Sequence, residues 1–247
     1  EGHTWGWKSL KIITLGIMTL IFGGLFYFRD SKINYPLINF KMFKIKTFTF
    51  GNIAVMTSYM CMFTNGMLLP LFLQEIVKYN AFLTGLLILP YSIASSAVAP
   101  FAGSYAGKNG SRGLTIAGPC IYILALVIFT TFNPSTPMWE IVLASVIMGI
   151  GNGCFQSPSN NAIITCVNKD ELGIASGILS LSRNLGNILG VAVTITLFDS
   201  FRNLLIEEGT KYQTAFLTSY HWTMCFGIAF GLTCLICSAI AYTPEKS

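Results

Sequence analysis

Two apolar runs, residues 79–102 and 113–132, are separated only by the polar stretch Gly103-Ser104-Tyr105-Ala106-Gly107-Lys108-Asn109-Gly110-Ser111-Arg112. A connection this short joins antiparallel neighbours, and helices this apolar belong in a bilayer, whose hydrocarbon layer of about 30 Å is crossed by about 20 helical residues. Glycines in the stretch let the backbone bend, and Lys108 and Arg112 sit where flanking positive charge holds a turn on the cytoplasmic side. The rest of the chain has to fit that topology.

Composition agrees. Of 247 residues 53% are hydrophobic and 10% charged, whereas soluble domains carry about 25% charged residues. A water-soluble fold is thereby excluded, and an all-α, polytopic membrane protein is expected. The net charge of +5 comes from basic residues scattered between apolar runs, without the basic face that nucleic acid requires, so no nucleic-acid partner is expected. Seven Cys lie in or beside apolar runs. Cys234-Leu-Ile-Cys237 has redox or metal spacing but no His or acidic neighbour, so it is assigned as small buried residues. Neither a metal nor another cofactor is expected. The chain starts Glu1-Gly2-His3, lacks the marks of a signal peptide and is taken as part of a longer polypeptide.

Seven transmembrane helices are predicted, over residues 12–28, 47–73, 79–102, 113–132, 138–167, 174–198 and 221–242. Trp5 and Trp7 suit an interfacial belt before the first. A connection at 29–46 holds Arg29, Lys32, Lys41, Lys44 and Lys46, the strongest positive-inside signal. Asn133-Pro134-Ser135-Thr136-Pro137 makes a tight outer turn, Asn168-Lys169-Asp170-Glu171 an inner one, and 199–220 a longer outer loop. Nine basic residues fall inside (those five with Lys108, Arg112, Lys169 and Lys246) and five outside (Lys8, Lys11, Lys78, Arg202 and Lys211). The C-terminus is therefore expected in the cytoplasm. Four segments follow: 1–28, an outer segment with the first span; 29–46, a cytoplasmic connection; 47–243, the remaining six spans; and 244–247, a tail.

Polar groups at membrane depth are costly and should face a bundle interior or a water-filled cavity. The fifth span carries Asn152, Gln156 and Asn160 at four-residue intervals, one face of a helix, with Gly149, Gly151, Gly153 and Pro158 nearby. The sixth carries Ser176, Ser180, Asn184 and Asn187 on a similar face with Arg183 among them, and Gly173, Gly177, Gly186 and Gly190 in small-xxx-small pairs. Two uses are open for each stripe: lining a solute path, or hydrogen-bonding and close packing that tie the bundle together. Arg183, unpaired at the bilayer centre, costs at least ~2.5 kcal/mol and calls for a partner. In the second span Met56, Met60, Phe63 and Met67 follow helical spacing near Asn65; such a flexible surface accepts varied apolar ligands or simply meets lipid. Two His, no phosphate-binding loop and no paired carboxylates at membrane depth leave no enzyme constellation.

The spacing of Gly103, Lys108, Gly110 and Arg112 resembles the signature turn of the major facilitator superfamily, with Gly107 where that family has an acid. Further pieces follow in the family's order. They are Trp5-Gly6-Trp7; Tyr35-Pro36-Leu37-Ile38-Asn39 leading to Phe43 and Phe48; Leu69-Pro70-Leu71-Phe72-Leu73-Gln74; Thr84-Gly85-Leu86-Leu87-Ile88-Leu89-Pro90; Gly149-Ile150-Gly151-Asn152-Gly153; and Ala175-Ser176-Gly177 continuing to Arg183-Asn184-Leu185-Gly186 and Gly190. The chain thus resembles the C-terminal part of a fourteen-span drug:proton antiporter. That resemblance implies one extra span plus the second six-helix bundle, and a transport pathway holding Met60, Phe63, Asn65, Asn152, Gln156, Asn160, Ser180, Arg183, Asn184 and Asn187. It further implies a gating turn at Gly103, Lys108, Gly110 and Arg112. A proton gradient, a missing N-terminal half, membrane lipid and a small hydrophobic or cationic solute are the implied energy source and partners, and export of that solute across a plasma membrane by alternating access is the implied function. An uptake carrier for a small metabolite and a non-transporting membrane scaffold sharing the fold are the alternatives. The second, third, fifth and sixth spans would line the cavity, the fourth and seventh support them.

Overall fold

The computed structural model describes residues 40–242 and eight isolated helical positions between Thr14 and Arg29. Trp5, Trp7, most of the first expected span at 12–28, the connection at 30–39 and the tail after 242 lie outside the described residues. From Met42 onward the described chain forms one unit. After a 3-10 turn at Phe40–Lys44 it consists of α1 (Lys46–Glu75), α2 (Ala81–Asn109), α3 (Arg112–Phe129), α4 (Met138–Thr165), α5 (Leu172–Glu207, entered through a 3-10 turn at Lys169–Glu171) and α6 (Tyr212–Ala241). All six are long and apolar enough to cross a membrane. The remaining expected span, the first, at 12–28, lies mostly outside the described residues.

Short connections make consecutive helices antiparallel, so each end of the bundle gathers alternate connections. One end holds Lys44, Lys46, Lys108, Arg112 and Lys169 and is here termed the basic end; Glu75, Glu140, Asp199 and Glu207 mark the far end. At the basic end Thr47 Oγ1 donates to the Ala241 carbonyl at 2.8 Å, pinning the start of α1 to the end of α6. At the far end Phe72 stacks on Tyr220 at 5.1 Å, Phe129 meets Phe132 edge-on at 5.1 Å, and His221 Nε2 contacts the Phe132 carbonyl at 3.0 Å.

Helix pairing follows from small residues. Among the helix pairs α2–α4, α1–α6, α3–α4 and α1–α5 are the most extensive. The Gly149-Ile150-Gly151-Asn152-Gly153 segment puts glycines on opposite sides of α4: a methyl at Gly149 would strike the Tyr91 carbonyl of α2, one at Gly153 would lie 2.8 Å from the Ser95 carbonyl, and one at Gly151 would lie 2.8 Å from the Gly118 carbonyl of α3. Two neighbours therefore reach the α4 backbone at once. On α5, Gly186 and Gly190 do the same for Met56 and Met60 of α1.

Two expected boundaries are corrected. The stretch from Gly103 to Arg112 is not a ten-residue turn. The α2 helix runs on through Lys108 to Asn109, Gly110 N–H bonds the Ala106 carbonyl at 2.9 Å, and only Gly110 and Ser111 lie between the two helices. Gly110, at φ 85°, makes the bend, whereas Gly103 sits inside the helix, where a methyl would lie 2.6 Å from Ser157 Oγ. The expected loop at 199–220 is likewise mostly helix. At 36 residues α5 is about 54 Å long, well beyond the hydrocarbon thickness, so its sequence turns polar where it leaves lipid without ceasing to be helical. It stops at Gly209, φ 83°, where Thr210 N–H bonds Leu205 O at 3.0 Å and Gly209 N–H bonds Ile206 O at 2.9 Å, a glycine-terminated helix end. The real connection to α6 is residues 208–211.

Candidate solute cavity

A cavity of about 400 Å³ opens between α1, α2, α4 and α5, in the half of the bundle nearer the far end. Its walls are Met62, Phe63, Asn65, Gly66, Met67 and Leu69 from α1, Ile88, Tyr91 and Ser92 from α2, Ser145 and Met148 from α4, and Val191 from α5. Neither α3 nor α6 contributes a side chain. The geometry has a local cause. The glycines of α4 draw α2 in at Tyr91 and Ser95, and Gly190 draws α5 onto Met60, so the four helices touch at those levels and part above them.

Polar groups in and beside this cavity are sparse and directed. Asn65 is 8% exposed, and its Nδ2 donates to the Met148 sulfur at 3.2 Å while its Oδ1 has no partner. Ser145 Oγ is buried without a partner as well. Tyr91 OH points to the Met62 sulfur at 3.8 Å. No charged side chain among the described residues lines the walls.

Of the residues expected on a transport pathway, Phe63 and Asn65 line this cavity. Met60 is buried beneath it with its Cα near Gly190. Asn152 is buried and its Nδ2 donates to Ser95 Oγ at 2.9 Å, joining α4 to α2. Gln156 and Asn160 continue down α4, both half-buried, with the Asn160 Oδ1 unpartnered. Along α5 the stripe is largely open: Ser180 and Asn184 are exposed, Ser180 Oγ bonding only the Ser176 carbonyl at 2.9 Å, and Asn187 and Arg183 are half-buried with Asn187 Oδ1 and Arg183 Nε unpartnered. Arg183 has no ion pair among the described residues, so the partner its depth calls for is not within them.

The turn residues separate. Gly110 and Arg112 line a second, more polar cavity of about 430 Å³ at the basic end, with Thr47, Asn161, Thr165 and Tyr242. There Tyr242 hydrogen-bonds Ser159 at 3.0 Å. Lys108 lies instead on a groove with Phe101, Tyr105 and Leu114.

Tyr91, Ser92, Ser145 and Met148 escaped the sequence reading. A signal for two of them was present: Met148 extends the four-residue interval of Asn152, Gln156 and Asn160 by one step, and Ser145 lies one turn further. No group of three or more His, Cys, Asp or Glu that could hold a metal occurs among the described residues, and Cys234 and Cys237 are buried free thiols.

The family model described as Major Facilitator Superfamily matches this chain over residues 2–191 and again over 51–247. The chain belongs to the major facilitator superfamily. Among its relatives the riboflavin transporter RibZ of Clostridioides difficile is 29% identical over 84% of this chain and 44% of its own length. The lincomycin resistance protein LmrB of Listeria monocytogenes is 27% identical over 94% of the chain and 50% of its own length, and the multidrug resistance protein Stp of Mycobacterium tuberculosis 26% over 84% and 38%. The chain spans about half the length of these relatives, or less. They carry the names of transport and resistance proteins; none is named as an enzyme.

Proposed function

We propose that the chain is the second half of a fourteen-span drug:proton antiporter, which exports hydrophobic or cationic compounds from the cell by rocking against a first half around a shared cavity. The observation that carries this reading is the uncovered polar stripe of α5. Ser176, Ser180 and Asn184 are exposed, and methyls at Gly173 and Gly177 would touch nothing. About a quarter-turn round the helix, at 100° per residue, Leu181, Leu185 and Ile188 form a separate exposed apolar row suited to lipid. Hydroxyls, amides and a guanidinium are costly in hydrocarbon, so the polar row needs water or a second body.

Six acids of the described residues sit at helix ends, Glu75, Glu140, Asp170, Glu171, Glu207 and Glu208, and the seventh, Asp199, lies eight residues before the end of α5 and is paired with Arg202 at 2.7 Å. A proton-coupling carboxylate at membrane depth therefore belongs to the other half. Residues 12–28 are assigned as the last of two extra spans, and the basic end, with the C-terminus, faces the cytoplasm of the plasma membrane. Export is favoured by the resistance relatives. A second reading, uptake of an uncharged metabolite, is favoured by the riboflavin transporter relative and by the uncharged cavity wall.

The test is efflux of Nile red, an uncharged hydrophobic dye, from energised cells carrying the whole protein. Efflux stopped by a protonophore and slowed by Arg183→Ala and by Asn152→Ala at equal expression is the expected result. Unchanged efflux in both variants overturns the pathway, and dye accumulation raised by the protein replaces export with uptake.

A further inference from the structure

The geometry points to an uncharged apolar molecule with a donor–acceptor edge of the amide, lactam or imide type as the ligand of the cavity between α1, α2, α4 and α5. This rests on the reading of that cavity as a solute site and names the solute's chemistry.

The orientation of the Asn65 amide decides the first half of the edge. A thioether sulfur accepts and cannot donate, so the Met148 contact at 3.2 Å must be made by the amide nitrogen, and the carbonyl oxygen is turned away from it. That oxygen is buried and has no partner. A buried acceptor left unmet is unfavourable, and an N–H or O–H from a ligand would meet it. Ser145 supplies the second half. It precedes Met148 by three residues on the same face of α4, lines the same cavity, is 2% exposed, and its hydroxyl has no partner. Its proton is available to an acceptor on the ligand.

The remaining wall sets the body. Met62, Met67 and Met148 with Phe63, Leu69, Ile88, Tyr91 and Val191 present soft, polarizable surface, which suits a flat unsaturated framework. No acidic side chain among the described residues lines the cavity, so these walls offer a permanent cation no counter-charge for the hydration it would lose. The volume of about 400 Å³ lies within the usual range for small-molecule sites.

The experiment is a fluorescence titration of the full-length protein in lipid nanodiscs with three probes. Lumichrome is uncharged, tricyclic and carries an imide N–H between carbonyls; its N3-methyl derivative lacks that donor; ethidium is a permanent cation. Lumichrome is expected to bind about tenfold more tightly than its N3-methyl derivative, the loss that accompanies one hydrogen bond to a buried acceptor. In Asn65→Leu the difference should shrink to about twofold or less, because the acceptor is gone. Ser145→Ala, a smaller change in case Asn65→Leu does not fold, should weaken both alloxazines together and leave their ratio intact. Equal affinities for the two alloxazines in the unmutated protein, or a tenfold ratio surviving Asn65→Leu, overturn the proposed edge while the solute cavity stands. Failure of all three probes to bind overturns both.

Discussion

On α4 the glycines at 149, 151 and 153 are all filled by neighbours and Asn152 is tied to Ser95, whereas on α5 Gly173 and Gly177 touch nothing and Ser180 and Asn184 lie open. Both helices carry small residues and amides at three- and four-residue intervals. The difference lies in what stands opposite. α2 approaches α4 along most of its length, while α5 meets α1 at Gly186 and Gly190 and has no helix of the described chain over its lower polar face. A stripe of one composition is thus a seam inside the domain in one case and an opening toward something else in the other.

The largest effect should separate the glycines. Gly149→Val drives a side chain into the Tyr91 carbonyl and is expected to cost ~3 kcal/mol or more, seen as lost expression or a much lower thermal midpoint in detergent. Gly177→Val meets open space and should change stability by less than ~0.5 kcal/mol, yet lower transport where the opening serves a moving partner. Next comes Arg183→Met. Removing an unpaired, half-buried guanidinium should leave the thermal midpoint unchanged or raised, with transport down by about tenfold if the group serves the solute route, an effect of ~1.4 kcal/mol. Unfolding of the variant would show that Arg183 is a structural tether instead. Smaller still, Asn152→Leu should cost ~1 kcal/mol through the lost bond to Ser95, and a double-mutant cycle with Ser95→Ala should recover the coupling. Asn184→Leu should show no such coupling. The smallest effect belongs to the far end of α5. Asp199→Asn breaks the half-exposed pair with Arg202, 2.7 Å apart, and a shift of no more than ~0.5 kcal/mol is expected.

Much of this was legible without coordinates. The six helices stand where apolar runs of bilayer length stand, because run length is a one-dimensional property. Their polar ends were less legible. Polarity alone assigns Lys108 and Asn109, and residues 199–207, to turns, but a helix that leaves hydrocarbon becomes polar before it ends, and the actual stops are Gly110 and Gly209, both at positive φ. Amides at Asn65 and Asn152 could be flagged from their depth. Their partners could not, since Met148 and Ser95 depend on how far α4 slides along α1 and α2, and that register is set by glycine contacts between distant segments. Tyr91 entered the cavity wall for the same reason.

Thiol labelling from the aqueous phase is the most direct measurement of the α5 opening. In a background freed of the seven native Cys, Ser180→Cys and Asn184→Cys are compared with Leu181→Cys and Leu185→Cys in membrane vesicles, using a membrane-impermeant thiol reagent. Fast reaction at 180 and 184 with little at 181 and 185 is predicted, since the first pair faces water and the second lipid. Equal rates at all four sites, or no reaction at 180 and 184, would contradict a solvated polar face on α5.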